Sequence, residues 1–122
     1  MEAMAGHAAR TSPEECCGLL LGRGGVIERA VPATNVAATP RQAFEIDPQA
    51  LVDAHRAART GGAEVIGYYH SHPRGPAEPS AVDCAQAAHD GAVWAIASPA
   101  GVAFFQDDEA GFAALPYTIV DR

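Results

Sequence analysis

The sequence predicts an α/β fold in which helices pack on one mixed β-sheet, and three observations support it. Helix-forming stretches and short β-branched or apolar runs follow one another as helix, hairpin, strand, helix, strand, helix and then further strands. Asp47-Pro48 supplies an N-cap followed by proline in the first helical position, so Pro48 to Arg59 is a helix set between two strand-like runs. The length of 122 residues suits one domain, 1–122, and 48% apolar residues, with 27 alanines in the chain, allow a core built largely of small side chains.

Each element has its own signal. Met1 to Arg10 is rich in helix formers and spaces Met4, His7 and Ala8 onto one face before Pro13 ends it. Cys16 to Leu21 is a short apolar run between Pro13 and the Gly22 to Gly25 turn, as a buried strand requires, and Val26 to Val31 returns as its hairpin partner. Pro32 to Ala43 is loop, and Phe44-Glu45-Ile46 alternates as a short strand. Gly61-Gly62 closes the Pro48 helix, after which Glu64 to Tyr69 is a β-branched and aromatic strand that runs directly into His70-Ser71-His72. Three prolines and a glycine make Pro73 to Pro79 a stiff, irregular loop. A further helix runs from Ser80 to about His89. Val93 to Ala97, Val102 to Gln106 and Ala113 to Ile119 are three more strands, divided by Pro99-Ala100-Gly101 and by Asp107 to Gly111.

Composition excludes several classes of function. The longest apolar stretch, Cys16 to Leu21, is six residues, far below the roughly 20 needed to span a bilayer. The acidic start, Met1-Glu2, is not that of a signal peptide, so a soluble cytoplasmic protein with no membrane partner is expected. A net charge of −7 has the wrong sign for a phosphate backbone, and no arginine cluster offsets it, so no nucleic-acid partner is expected. All eight cationic side chains are arginine and none is lysine. Cys16, Cys17 and Cys84 are too few for a disulfide scaffold and are expected as reduced thiols.

The chemistry concentrates at His70-x-His72. Residues two apart on an extended segment project to one side, so both imidazoles can meet one metal ion. Asp83 lies one turn inside the helix that Ser80 opens, from where its carboxylate can swing back toward the strand end. Two histidines and an aspartate make three protein ligands, and three ligands with an open fourth position are what a catalytic zinc needs. Ser80-x-x-Asp83 is equally a capping box, with the serine oxygen and the carboxylate satisfying two helix-end amides. A metal-bound water also needs a base to take its proton and an acid to give one to the leaving amine, and Glu14 and Glu15 are the candidates. Gly18, just beyond them, lets another segment approach closely.

Three segments together, Glu15-Cys16-Cys17-Gly18-Leu19-Leu20-Leu21-Gly22, Gly67-Tyr68-Tyr69-His70-Ser71-His72-Pro73 and Pro79-Ser80-Ala81-Val82-Asp83, resemble the JAMM motif of the MPN-domain zinc metalloproteases in their short prokaryotic branch. Asn35 and the run Phe44-Glu45-Ile46-Asp47-Pro48 also look like that branch, so the resemblance covers nearly the whole chain. It implies a curved mixed sheet flanked by helices, similar to the cytidine-deaminase layout. His70, His72 and Asp83 would bind one zinc ion per chain, Glu15 rather than Glu14 would be general base and acid, and Ser80 would donate to the oxyanion. The implied activity is hydrolysis of a peptide or isopeptide bond, after the glycine-rich tail of a ubiquitin-like or sulfur-carrier protein that adds as a strand beside the metal.

Deaminases themselves need His-x-Glu with Pro-Cys-x-x-Cys, and zincins need His-Glu-x-x-His; neither occurs. The alternatives are a non-catalytic MPN-type module that binds a ubiquitin-like partner and a zinc hydrolase of small amides. The family also begins with a strand before its first helix, which this chain does not show; a partner could supply that edge strand or it could be absent, and a homodimer is possible. Cys17 lies near Glu15 and Cys84 beside Asp83; both read first as small core residues, with the hypothesis that oxidation could join Cys84 to the 16–17 pair and close the site. His7, His55 and His89 have no spacing partners and are expected to be ordinary helix residues.

Overall fold

The computed structural model describes residues 2–117. Helix α1 (Glu2–Thr11) leads into a hairpin of β1 (Cys17–Arg23) and β2 (Val26–Ala33), and α2 (Pro48–Arg59), β3 (Glu64–Ser71) and α3 (Ala81–Gln86) follow. The last described elements are β4 (Val93–Ser98), β5 (Gly101–Asp108) and β6 (Gly111–Ala114). The strands form one mixed sheet in the order β2-β1-β3-β4-β5-β6. Every neighbouring pair is antiparallel except β3 with β4. A parallel pair requires a crossover, and the segment carrying α3 supplies it, starting from the end where His72 leaves β3.

Successive strand residues point to opposite faces, so β1 feeds two cores at once. Cys16 and Leu20 pack with Tyr69, Ala95, Phe104 and Met4 of α1. Cys17, Leu19 and Leu21 pack on the other side with Phe44, Ile46 and Trp94, covered by Ala50, Leu51 and Ala54 of α2. Burial on both faces is why this segment reads as an unbroken apolar run rather than an alternating one. A β-carbon at Gly18 would fall on the Tyr69 ring and the Val31 carbonyl, so glycine there lets β2 and β3 close on β1. The Tyr69 hydroxyl lies 2.8 Å from His7 Nδ1, tying α1 to the sheet.

Three elements depart from expectation, each for a tertiary reason. The helix from Ser80 stops at Gln86 rather than near His89. Buried Asp107 of β5 accepts the His89 backbone N–H at 3.0 Å and pairs with its ring nitrogen at 3.3 Å, holding His89 at φ 56. His89 is therefore a loop residue with a carboxylate partner, not a helix residue. Phe44-Glu45-Ile46 makes only an isolated bridge, Asn35 to Ile46, because the Asn35 side chain takes the Ala43 carbonyl and the Glu45 N–H that a strand partner would take. Strand β6 covers 111–114 instead of 113–119: Leu115 still donates to Phe104, but Pro116 has no N–H to extend the ladder. Positions 118 and 119 lie outside the described residues. Among the described residues no helix is long and apolar enough to cross a membrane.

Candidate metal centre

His70 is the penultimate residue of β3, and the His72 N–H, donating to the Ala97 carbonyl at 2.8 Å, keeps the next two residues extended. Both rings therefore emerge on one side, with their Nε2 atoms 3.0 Å apart. Asp83 reaches the same point from the first turn of α3, its Oδ2 lying 3.1 Å from each Nε2. The capping box is what aims it: Ser80 Oγ accepts the Asp83 N–H at 3.0 Å and Asp83 Oδ2 accepts the Ser80 N–H at 2.9 Å. Capping and site formation are thus one arrangement, not rival ones. The cluster is buried, with His70 0% exposed, Asp83 2% and His72 8%.

These donors fit a cation. His72 Nδ1 lies 2.9 Å from the Pro76 carbonyl and must carry a proton to bond it, so a neutral His72 presents a bare Nε2 lone pair. That lone pair faces a carboxylate oxygen at 3.1 Å, an acceptor against an acceptor, and positive charge between them removes the conflict. Without an ion the histidine itself must supply that charge. Burial works against its protonation, but hydrogen bonding to Asp83 and Pro76 and the charges of Asp83 and Glu15 raise its pKa above the ordinary value. Burial also opposes the Asp83 carboxylate, yet bonds from His70, His72 and the Ser80 N–H hold its pKa well below the usual range. His70 goes the other way, its pKa lowered by burial, so it stays a neutral donor atom.

Of the two glutamates, Glu14 is exposed and Glu15 is buried. Backbone pairing fixes Glu15 beside the histidines: Cys16 N–H donates to Ser71 Oγ at 2.8 Å, and Ser71 N–H donates to the Cys16 carbonyl at 3.1 Å. Glu15 offers a carboxylate oxygen within 4.8 Å of a ring nitrogen on both His70 and His72, so Glu15, His70 and His72 also form a group able to hold a metal ion. Its Oε1 is buried without a hydrogen-bond partner among the described residues. Burial raises its pKa to about 7; the His72 charge pulls it down and the Asp83 charge pushes it up.

A raised carboxyl pKa is a stability statement. The contribution is fully present below the ordinary value of 4.5 and is lost as pH rises through about 7. Metal-free Glu15→Gln protein should therefore be more stable than the metal-free parent at pH 8, by roughly 3 kcal/mol at most, with the gain gone at pH 4. Denaturant melts of both proteins at the two pH values check this; equal midpoints at pH 8 would mean that Glu15 is not desolvated in solution.

Three supporting residues are not evident from spacing. The His70 Nδ1 has no hydrogen-bond partner among the described residues, and packing orients the ring instead. Phe44 stacks on it with centroids 4.3 Å apart, and Trp94 meets it edge-on at 5.7 Å. Asn35 ties the strap to the strand start, donating to the carbonyls of Glu15 at 2.9 Å and Ala43 at 3.0 Å. The Glu15 N–H donates to the Pro40 carbonyl at 2.7 Å, so the strap holds this residue at both ends. All three cysteines are free: Cys16 and Cys17 are buried, on opposite faces of β1, while Cys84 is exposed on α3. Burial, with the Cys16 and Glu15 charges, pushes the Cys17 thiol up to about 12, as suits a core side chain rather than a nucleophile.

Comparison with known proteins shows the family and the fold. Residues 1–109 match the family described as prokaryotic homologs of the JAB domain. Over 96 residues the chain is 42% identical to a desampylase of Haloferax volcanii, covering 77% of this chain and 69% of that one. Over 87 residues it is 41% identical to a protein of Thermus thermophilus described as a probable TtuB-protein conjugate cleaving protease, covering 71% of this chain and 58% of that one. A solution structure of a Desulfitobacterium hafniense protein superposes with a TM-score of 0.82 at 34% identity, covering 94% of this chain and 84% of that one.

Proposed function

The chain belongs to the prokaryotic homologs of the JAB domain, and from that premise we propose that it is a zinc-dependent peptidase or isopeptidase forming one domain, 1–122, with one ion per chain. His70, His72 and Asp83 would hold the ion, Glu15 would move the proton and Ser80 would meet the oxyanion. The observation that carries this reading is the triangle of His70 Nε2, His72 Nε2 and Asp83 Oδ2, 3.0–3.1 Å on a side, with a buried carboxylate beside it that is not needed to complete it. A closed structural site would take four protein ligands, usually cysteine; His70, His72 and Asp83 would supply three and leave one position for water. A scaffold that only binds a partner has no use for a buried Glu15 whose Oε1 has no hydrogen-bond partner among the described residues.

When bound, zinc would polarise the scissile carbonyl and lower the pKa of water to about 7. Glu15, a buried carboxylate beside both imidazoles, would take a proton from the attacking water and give it to the leaving amine. The Ser80 hydroxyl oxygen already accepts the Asp83 N–H, so its own proton is free to donate to the developing oxyanion. Water is consumed, the C–N bond breaks, and a carboxylate and an amine leave.

The substrate class follows from the relatives' names together with the resemblance: a conjugate of a ubiquitin-like or sulfur-carrier protein, cut after its glycine-rich tail. The test is to incubate the zinc-loaded protein with linear fusions to several such tails. Cleavage after the terminal glycine that chelation stops and added zinc restores is expected; equal cutting by metal-free and zinc-loaded protein would refute the reading. Ser80→Ala should lower kcat by about 10²-fold through the oxyanion and cost about 1 kcal/mol through the cap. A lower melting temperature with unchanged kcat would leave Ser80 only its capping role.

A further inference from the structure

One cleft is lined by residues close in sequence to the site residues, with none of the proposed ligands among them. It encloses about 350 Å³ and is lined by Pro13, Arg41, Gln42, Pro73 and Arg74. Connectivity places it on the Glu15 flank. Pro13 lies two residues before Glu15, Arg41 follows the Pro40 carbonyl that accepts the Glu15 N–H, and Pro73 follows His72. Neither Ser80 nor any residue of α3 lines it.

The electrostatics of this cleft run against those of the chain. The protein carries −7 with only eight arginines, yet two of them are among the five residues that line this opening and none of those five is acidic. Among the described residues neither Arg41 nor Arg74 has an ion-pair partner within 4.0 Å. Guanidinium forks match carboxylates better than any other common group in proteins except phosphate.

We infer that Arg41 and Arg74 form a subsite for a carboxylate carried by the leaving group, on the amine side of the scissile bond. The inference rests on the proposed hydrolysis for its direction. Glu15 must face the leaving nitrogen to protonate it, so whatever follows that nitrogen runs out over the Glu15 flank and into this cleft, while the glycine-rich tail lies on the other side of the bond. The volume admits one or two residues, not a folded domain. The carboxylate has two sources, the free terminus of a single-residue leaving group or an acidic side chain next to the cut.

Three synthetic peptides separate these sources. They share one tail ending in two glycines, followed by alanine with a free carboxylate, by alaninamide, or by alanyl-glutamic acid amide. For the zinc-loaded protein, kcat/KM is expected to be at least tenfold higher on one carboxylate-bearing peptide than on the alaninamide peptide, mainly through KM. Preference for the first assigns a terminal carboxylate and preference for the third an acidic side chain. In R41Q/R74Q, whose changed side chains are both exposed, the ratio should collapse to about one with an unchanged melting temperature. Equal rates in the parent, or a ratio that survives in the variant, would overturn the subsite.

A binding measurement does not depend on turnover. Titrated alanine should shift the backbone amide resonances of Gln42 and Arg74, titrated alaninamide should not, and the alanine shifts should be absent from R41Q/R74Q. The net charge of −7 would by itself favour the alaninamide cation, so this order cannot come from general electrostatics. If no peptide is cut but alanine produces these shifts, the hydrolysis reading fails and the carboxylate site stands. If no such shifts appear, the site fails whether or not the peptides are cut.

Discussion

Glu15→Gln is expected to lower cleavage of a tail fusion by roughly 10²–10⁴-fold, the usual worth of a positioned acid–base group, while zinc stays near one ion per chain. Glutamine keeps the shape and burial of the side chain but cannot take up a proton. The triangle formed by His70, His72 and Asp83 is complete without it. Because Glu15 also lies within 4.8 Å of both histidine nitrogens, the competing possibility is concrete: it could be a ligand. Metal content after gel filtration, measured beside kcat, separates the two. Activity and zinc lost together would make Glu15 a ligand and leave the proton to another group. The same variant should gain stability without metal at pH 8, since a buried carboxylate tuned for proton transfer is held at a cost to the fold.

Asp83→Asn is expected to abolish turnover by removing the metal. Asparagine retains a side-chain oxygen for the Ser80 N–H, so the capping box survives in part and α3 should still form. The charge does not survive, and two buried imidazoles then face a neutral amide in place of an anion. Partners that merely support metal ligands are worth 10–100-fold in affinity, so a ligand that supplies the site's negative charge should cost about 100-fold or more. Dialysis against a zinc buffer followed by metal analysis measures the loss, and a thermal melt checks that the fold persists. A variant that keeps zinc and folds normally would show that the two histidines suffice with a different third ligand.

The local grammar of the chain was largely legible. Asp47-Pro48 starts α2 where capping and proline geometry put it, and the unbroken run from Cys16 to Leu21 is a strand buried on both sides. His70 and His72 converge because a two-residue period on extended backbone requires it. Less legible were the ends of elements whose fate depends on distant partners. Ala87, Ala88 and His89 have ordinary helical composition, yet a buried aspartate eighteen residues away captures the His89 backbone and ends the helix. Phe44 alternates like a strand residue, yet the His70 ring draws it inward as a stacking partner.

By itself, then, the sequence determined the two-histidine pair and the capping box that carries Asp83, since each rests on neighbours no more than a few residues apart, and the family, since three separated segments carry its motif together. Only the tertiary structure decided that Glu15 is buried beside that pair while Glu14 faces solvent, that packing by Phe44 and Trp94 orients His70, and that Arg41 and Arg74 open onto one cleft. These depend on which strands lie side by side and how the strap from Asn35 to Ile46 crosses them. Side chains 24 to 57 positions apart are brought together by sheet order and by burial, which no periodicity along the chain encodes.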